Sequence, residues 1–434
     1  MINPLFGFEL ELFVKLKDEH VKRLKQLHDD PAQQPVLKNL PHPFEGWDLA
    51  VTTRTSTVNL TLRTKVQRDQ AEQRTRVHNV IKFALNRQSI DVGEGGWSVV
   101  DEPSLEEENV EGIDNFWRVE IISRPYHASE HWQDQLRDVY KAVNRYFDIK
   151  VTNGCSHHVH ITPGTRDEFP FYDAHQVGMI LRSDFYWEKP LYNLLPKERK
   201  KSVWAMAITD AEAKLKNAVE MVEDNTKPNI KWKDFFAHIS KREEQGLKEV
   251  VKLGFGIKHS LGGVHYERYL STNYTNVLEG CGTIEFRRQG HAHDYNTAVR
   301  QIVLALAQHM AALYVVNWDA VGNTKAVPHD DDYVRDLLAG MQLLPELSWL
   351  PEFPEWLQAQ LKANKGKAPS ELSPADLARV NKIKAENLLG KPGFQIPSRP
   401  GTPVREPIAN ILVSSSLPGS ENQLFDNPWA DLGF

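Results

Sequence analysis

A chain of 434 residues is long enough for one large domain or two to three ordinary ones, and 41% hydrophobic with 25% charged residues is the balance of a soluble globular protein. The formal charge of −6 supplies no basic field for nucleic acid, so none is expected as a partner. Two cysteines, Cys155 and Cys281, are too few for a disulfide framework or a CxxC zinc site, which points to a reducing compartment. No basic region followed by an apolar run opens the chain, and a cytoplasmic location is expected.

The first predicted strand runs from Phe6 to Val14. Alternation puts Glu9 and Glu11 on one face and Phe8, Leu10 and Leu12 on the other. At about 3.3 Å of rise per residue the two carboxylates stand roughly 7 Å apart. They repel by roughly 2 to 3 kcal/mol at an effective dielectric near 20. Such a pair suits an oxygen-ligated cation, Mg²⁺ or Mn²⁺ rather than zinc; a strand with its glutamates in water is the alternative. A turn at 41–43 and an irregular strand pair at 51–62 follow, then a helical pattern over 67–88 carried by Val77, Val80, Ile81, Ala84 and Leu85. After the glycine break at 93–96, residues 97–101 read as a short buried strand ending on Asp101. In the strand at 116–123, Arg118 and Glu120 share one face and Trp117, Val119 and Ile121 the other.

Trp132, Leu136, Val139, Tyr140, Val143 and Phe147 trace one face of a helix that would pack on a sheet. Beyond the Asn153-Gly154 turn, His158 and His160 alternate with Val159 and Ile161. Helical patterns cover 174–187 and 210–224, separated by a basic loop holding Arg199 and Trp204. A glycine-rich stretch at 254–263 leads to Arg268 and Asn273. The last clear strand, 282–287, places Thr283, Glu285 and Arg287 on one face. The apolar helix at 298–316 is interrupted by Arg300, Gln301, Gln308 and His309 and reads as core rather than as a membrane span. Short helices are expected from Asp330 and from Ser373 to Gly390, with a Pro- and Ser-rich tail at 391–434, docked or disordered.

Four of these strands alternate apolar with ligand-type residues: Glu9 and Glu11; Arg118 and Glu120; His158 and His160; Glu285 and Arg287. Together they predict an α+β fold, a curved antiparallel sheet backed by helices whose concave polar face is a site for metal ions and phosphate groups. Taken singly, the histidines could be structural and Glu285 with Arg287 a surface ion pair. There is no Walker A motif and no GxGxxG after a strand, so common nucleotide folds are disfavoured.

The segments Gly7-Phe-Glu9-Leu-Glu11, Val119-Glu120-Ile-Ile-Ser123, His158-Val-His160 and Thr283-Ile-Glu285-Phe-Arg287, in that order and followed by a long helix, resemble the amidoligase family. These are carboxylate–amine ligases related to glutamine synthetase and glutamate–cysteine ligase. The resemblance covers about the first 318 residues and implies a catalytic domain at 1–318 with a funnel-like active site, a helical extension at 319–390 and the tail. It implies an ATP-dependent ligase with Mg²⁺ or Mn²⁺, in which a carboxylate is phosphorylated and an amine attacks the acyl phosphate, both substrates being small molecules. By the same resemblance, Glu9, Glu11, Glu120, Glu285 and His158 are metal ligands. His158 or His160 lies on the ATP side, Arg287 clamps phosphate, and Arg268, Asn273 and, more weakly, Arg199 touch phosphate or substrate carboxylate. Arg287, Arg268 and Glu285 form the implied catalytic set. The departures are the lack of a long Glu-rich insertion and Arg124, which stands where a small residue or proline is expected. Rival readings are a metal-dependent hydrolase or amidase built on His158, His160 and the carboxylates, a cysteine enzyme using Cys155 or Cys281, and a non-catalytic scaffold.

Overall fold

Leu5–Leu16 is strand β1, the longest of the sheet, and the others assemble around it. In the computed structural model the described residues are 3–17, 74–75, 77–102, 105, 116–164, 171–200, 202, 205–211, 213–254, 270–278, 281–347 and 350–369. The expected turn at 41–43, strand pair at 51–62, nearly all of the glycine-rich stretch, the helix from Ser373 and the tail lie outside them.

The other strands are β2 (Ser98–Val100), β3 (Trp117–Ile122), β4 (Tyr126–His127), β5 (Phe147–Lys150), β6 (His157–Ile161), β7 (Thr272–Asn273) and β8 (Ile284–Phe286). They form an open sheet in the order β2-β3-β1-β6-β8-β7, antiparallel throughout, with β4 and β5 also paired to β1. β1 is long enough to take two partners on each edge: β3 beside Glu9 to Val14 and β4 beside Leu5 and Phe6, with β6 beside Phe6 to Leu10 and β5 beside Phe13 to Leu16 on the opposite edge. The register puts Glu11 opposite Glu120, Glu9 opposite His158, and His160 opposite Glu285, which itself faces Asn273.

The apolar face is packed with aromatic rings and backed by helices. Phe6 meets Trp132 edge-on at 5.3 Å, and Phe8 meets Trp97 at 5.5 Å. The buried Trp97 indole donates to the Tyr126 hydroxyl at 3.1 Å, which donates on to Gln135 at 2.6 Å, so these two polar tips are satisfied, while the Trp132 indole N–H has no partner among the described residues. Burying each such ring contributes roughly 1.5 to 3 kcal/mol. Trp132–Tyr146 and Tyr295–Met310 are among the helices that contribute to this apolar cluster. The latter is capped by Asp294, whose carboxylate accepts from the Thr297 N–H, and continues as a π-helical turn over Ala311–Val315. By length and composition Tyr295–Val315 could cross a membrane, but it is buried inside the protein. Three of its polar residues are answered internally: Gln301 by His157 at 2.8 Å, Gln308 by Tyr333 at 3.1 Å and His309 by Tyr172 at 2.8 Å.

Two local readings change. Phe147 is buried but opens β5 instead of closing the helix, because its backbone pairs with Leu16. The helical pattern at 210–224 is matched by helix over Ile208–Ala211 and Ala213–Glu223, with residue 212 outside the described ones. Trp232–Gln245 and Leu247–Leu253 are helices not anticipated above, separated by Gly246 at φ +108°, a conformation open to glycine. Asp330–Gln342 and Phe353–Asn364 fall in the expected extension, and their buried Leu337, Phe353 and Leu357 join the same apolar cluster as β1.

Candidate metal centre on the polar face of the sheet

Strands β3, β1, β6 and β8 are neighbours, so their polar residues meet on one face and are buried there: Glu9, Glu11, Glu120, His158, His160 and Glu285 are each at most 8% exposed. His158 is the hub. Its Nδ1 lies 3.0 Å from Glu9 Oε2 and 3.4 Å from Glu285 Oε1, while Nε2 lies 2.9 Å from Ser156 Oγ and 3.7 Å from Glu11 Oε1. His160 Nε2 is 3.0 Å from Glu9 Oε1, and its Nδ1 is 3.2 Å from Thr283 Oγ1. Two overlapping triads result, Glu9–His158–Glu285 and Glu11–Glu120–His158, each with potential ligand atoms within 4.8 Å of one another.

Secondary contacts aim these groups. Ser156 donates both its backbone N–H, at 2.7 Å, and its hydroxyl, at 2.6 Å, to Glu11 Oε2. Asn273 donates to Glu285 Oε2 at 2.7 Å, while its own carbonyl accepts from the Thr275 N–H and hydroxyl at the start of the short helix Thr275–Leu278. Glu285 Oε1 receives the Arg287 guanidinium.

The crowding of buried charges shifts these groups in opposite directions. Burial, then the charges of Glu9, Glu102 and Glu11, hold the Glu120 carboxyl well above the usual range. Glu120 also faces Glu11 directly across the ladder, where like charges are destabilising. Burial pushes Glu9 upward too, but His160 and His158 beside it outweigh that and hold it well below its ordinary value. Glu285 is likewise lowered: burial opposes, and Arg287, His160 and His158 prevail. His160 is raised, because Glu9 and Glu285 outweigh the cost of burying its cation. Four buried carboxylates crowded around one central imidazole, with Glu120 held above its usual range by its neighbours, are a donor set that fits Mg²⁺ or Mn²⁺.

Most of the residues singled out in the sequence are thus brought together. Arg268 lies outside the described residues. Arg118 does not join the cluster, since it forms a two-pronged pair with Asp101 at 2.7 and 2.9 Å. Arg199 is buried at the end of β8 and donates to the backbone oxygens of Arg287 and Arg288 at 2.6 and 3.4 Å. Arg124 pairs with Glu130 and lies 4.1 Å over the Tyr126 ring, so that departure from the expected pattern is absorbed by a local ion pair and stacking. Ser156 and Thr283 were not named as functional, although Ser156 shares the alternation of His158 and His160 and so carried the signal. Burial pushes the Cys155 thiol up to about 12 and raises Cys281 as well, leaving neither as a ready thiolate.

A family model described as "Putative amidoligase enzyme" matches residues 3–308. No curated protein matches the chain.

Proposed function

Because the chain belongs to this amidoligase family, we propose that it is an ATP-dependent carboxylate–amine ligase that works through an acyl phosphate and requires Mg²⁺ or Mn²⁺. Family membership accounts for amide-bond formation on small-molecule substrates. The dependence on ATP and metal is our extension, and with it the likeness of the open sheet to the funnel of glutamine synthetase-type ligases. The observation that carries it is the pair of carboxylate–imidazole triads sharing His158, next to Arg287.

In this reading Glu9, His158 and Glu285 hold one cation, and Glu11, Glu120 and His158 offer a second position. Bound cations would neutralise the triphosphate, the main requirement of phosphoryl transfer. The protein's own groups do the positioning. Ser156 fixes one oxygen of Glu11 and Asn273 fixes one oxygen of Glu285, so the other oxygen of each is turned to the cluster. Arg287 stays charged, since Glu285, Glu11 and Glu9 outweigh the burial that opposes its charge, and it is the clamp for the transferring phosphoryl group. Arg268 is assigned to phosphate or substrate carboxylate on family resemblance.

A carboxylate oxygen attacks the terminal phosphorus and ADP leaves; the amine then attacks the acyl carbon, loses a proton, and phosphate departs with the original carboxylate oxygen. Substrate carboxylate labelled with ¹⁸O must therefore deliver label to inorganic phosphate, with ADP as co-product. Label in AMP would replace the acyl phosphate by an adenylate, and the absence of label from any phosphoryl product would favour the hydrolase reading of His158 and His160.

A further inference from the structure

β8 has a second face. Phe286 pairs with Thr272 and alternates with Glu285, so both point away from the carboxylate cluster, and on their side lies a cavity of about 240 Å³. At about 30 Å³ per water this is room for roughly eight water-sized groups. Leu191, Leu194, Phe286, Leu304 and Trp356 give it apolar walls.

Its polar lining is incompletely matched. Arg199 is 2% exposed and uses Nη2 and Nε on backbone carbonyls, while its Nη1 has no hydrogen-bond partner among the described residues. Gln289, 7% exposed, donates Nε2 to the Gln301 carbonyl at 2.9 Å and leaves Oε1 without a partner among the described residues. Arg288 also lines the cavity and pairs with Glu188 at 2.7 Å, while its Nε and the His291 Nδ1 have no hydrogen-bond partner among the described residues. Glu198 is the one carboxylate among the described lining residues, and it faces Lys197 at 3.9 Å. A buried guanidinium N–H with no acceptor is costly, and native structures supply the acceptor from protein, water or ligand.

We propose that this cavity binds a small monocarboxylate with an apolar body, its carboxylate accepting from Arg199 Nη1 and its chain lying against the leucines and Phe286. Size and polarity both select: the walls reject inorganic phosphate, and the unpaired cationic donor rejects neutral isosteres. The site is separate from the metal centre and needs neither metal nor nucleotide. Arg199 links the two, because the carbonyl it holds belongs to Arg287, whose guanidinium meets Glu285.

The test is calorimetric titration of the full-length protein, freed of metal with EDTA and without nucleotide, using hexanoate, hexanamide and inorganic phosphate as probes. One hexanoate per chain is expected, with hexanamide and phosphate at least about tenfold weaker, as befits loss of a charge-assisted hydrogen bond or of the apolar contact. Leu191→Trp narrows the cavity without touching Arg199 and should abolish hexanoate binding; Arg199→Gln should weaken it about tenfold. No hexanoate binding at millimolar concentration, equal binding of the amide, or binding unchanged in Leu191→Trp would overturn the proposal. Should Arg199→Gln fail to fold, Leu191→Trp and the amide comparison still decide it.

Discussion

Glu9 touches both imidazoles of the site, and Arg287 touches Glu285, so these two side chains offer the cleanest separation of chemistry from folding. Glu9→Gln retains the shape and one hydrogen-bonding oxygen while removing the charge. Arg287→Ala removes the proposed phosphate clamp from a half-buried position. Both variants should fold, and each should lose about 10²- to 10³-fold in ligase turnover, the usual effect of deleting one preorganised electrostatic contact. Near-normal rates alongside a native circular dichroism spectrum would remove the residue from the reaction. Asp184 gives a different residue-scale expectation. Burial pushes its carboxyl up to about 7, against hydrogen bonds from Tyr274 at 2.6 Å and Thr272 at 2.9 Å. A raised folded pKa means the native state holds this proton more tightly than the unfolded chain. Its stabilising contribution is complete below the unfolded value near 4 and is lost as pH rises towards 7. His309, lowered by burial to about 3, acts in the opposite sense: its contribution is complete above about 6.5 and lost as pH falls. Denaturation across pH 5 to 8 should therefore show Asp184→Asn gaining on the wild type as pH rises, by at most about 1.4 kcal/mol per pH unit, the limit for one proton. Parallel pH profiles for the two proteins would contradict the assignment.

At the scale of elements, β1 carries both the site and the core on its two faces, and a one-residue slip would exchange them. Phe8, between Glu9 and Gly7, meets Trp97 at 5.5 Å and His157 at 5.7 Å. Phe8→Ala should cost about 3 to 5 kcal/mol in denaturant unfolding, as for other buried aromatic truncations. A loss below about 1 kcal/mol would mean that the apolar face of β1 is not what holds the sheet to its helices. The polar faces of β1, β3, β6 and β8 were legible in the sequence because period-two alternation of carboxylate, imidazole and arginine against branched and aromatic residues is a local signal. β5 was not, since Phe147 continues the helical spacing of Trp132 to Val143, and only pairing with Leu16, far away in sequence, makes it a strand. The same limit hid the partner of His157. Alternation places that residue on the apolar face, but its hydrogen bond to Gln301 spans 144 positions. The Trp232–Gln245 helix was a different case, because Trp232, Phe235, Phe236 and Ile239 recur at helical spacing and the signal was present.

For the whole molecule, one apolar cluster runs from β1 to the Phe353–Asn364 helix, so stabilisation of the sheet should be felt throughout the described fold. This makes ligand binding readable as melting temperature. The polar face gathers Glu9, Glu11, Glu120 and Glu285, which without a cation would repel a triphosphate; in the proposed reading a cation is shared between the triphosphate and the carboxylates. ATP with Mg²⁺ at a hundredfold excess over Kd should add about 2.7 kcal/mol by mass action. With an unfolding entropy of about 2.1 cal/mol/K per residue, that is an upward shift of about 3 °C for 434 residues. ATP with EDTA should give no shift, because the carboxylates then face the triphosphate directly. Mg²⁺ alone should give a smaller one, since it would answer Glu120 and Glu11 without the contact proposed between Arg287 and phosphate. Equal shifts from ATP with and without chelator would show that the nucleotide binds elsewhere or through arginines alone, and the carboxylate cluster would lose its place in the reaction while the family assignment stood.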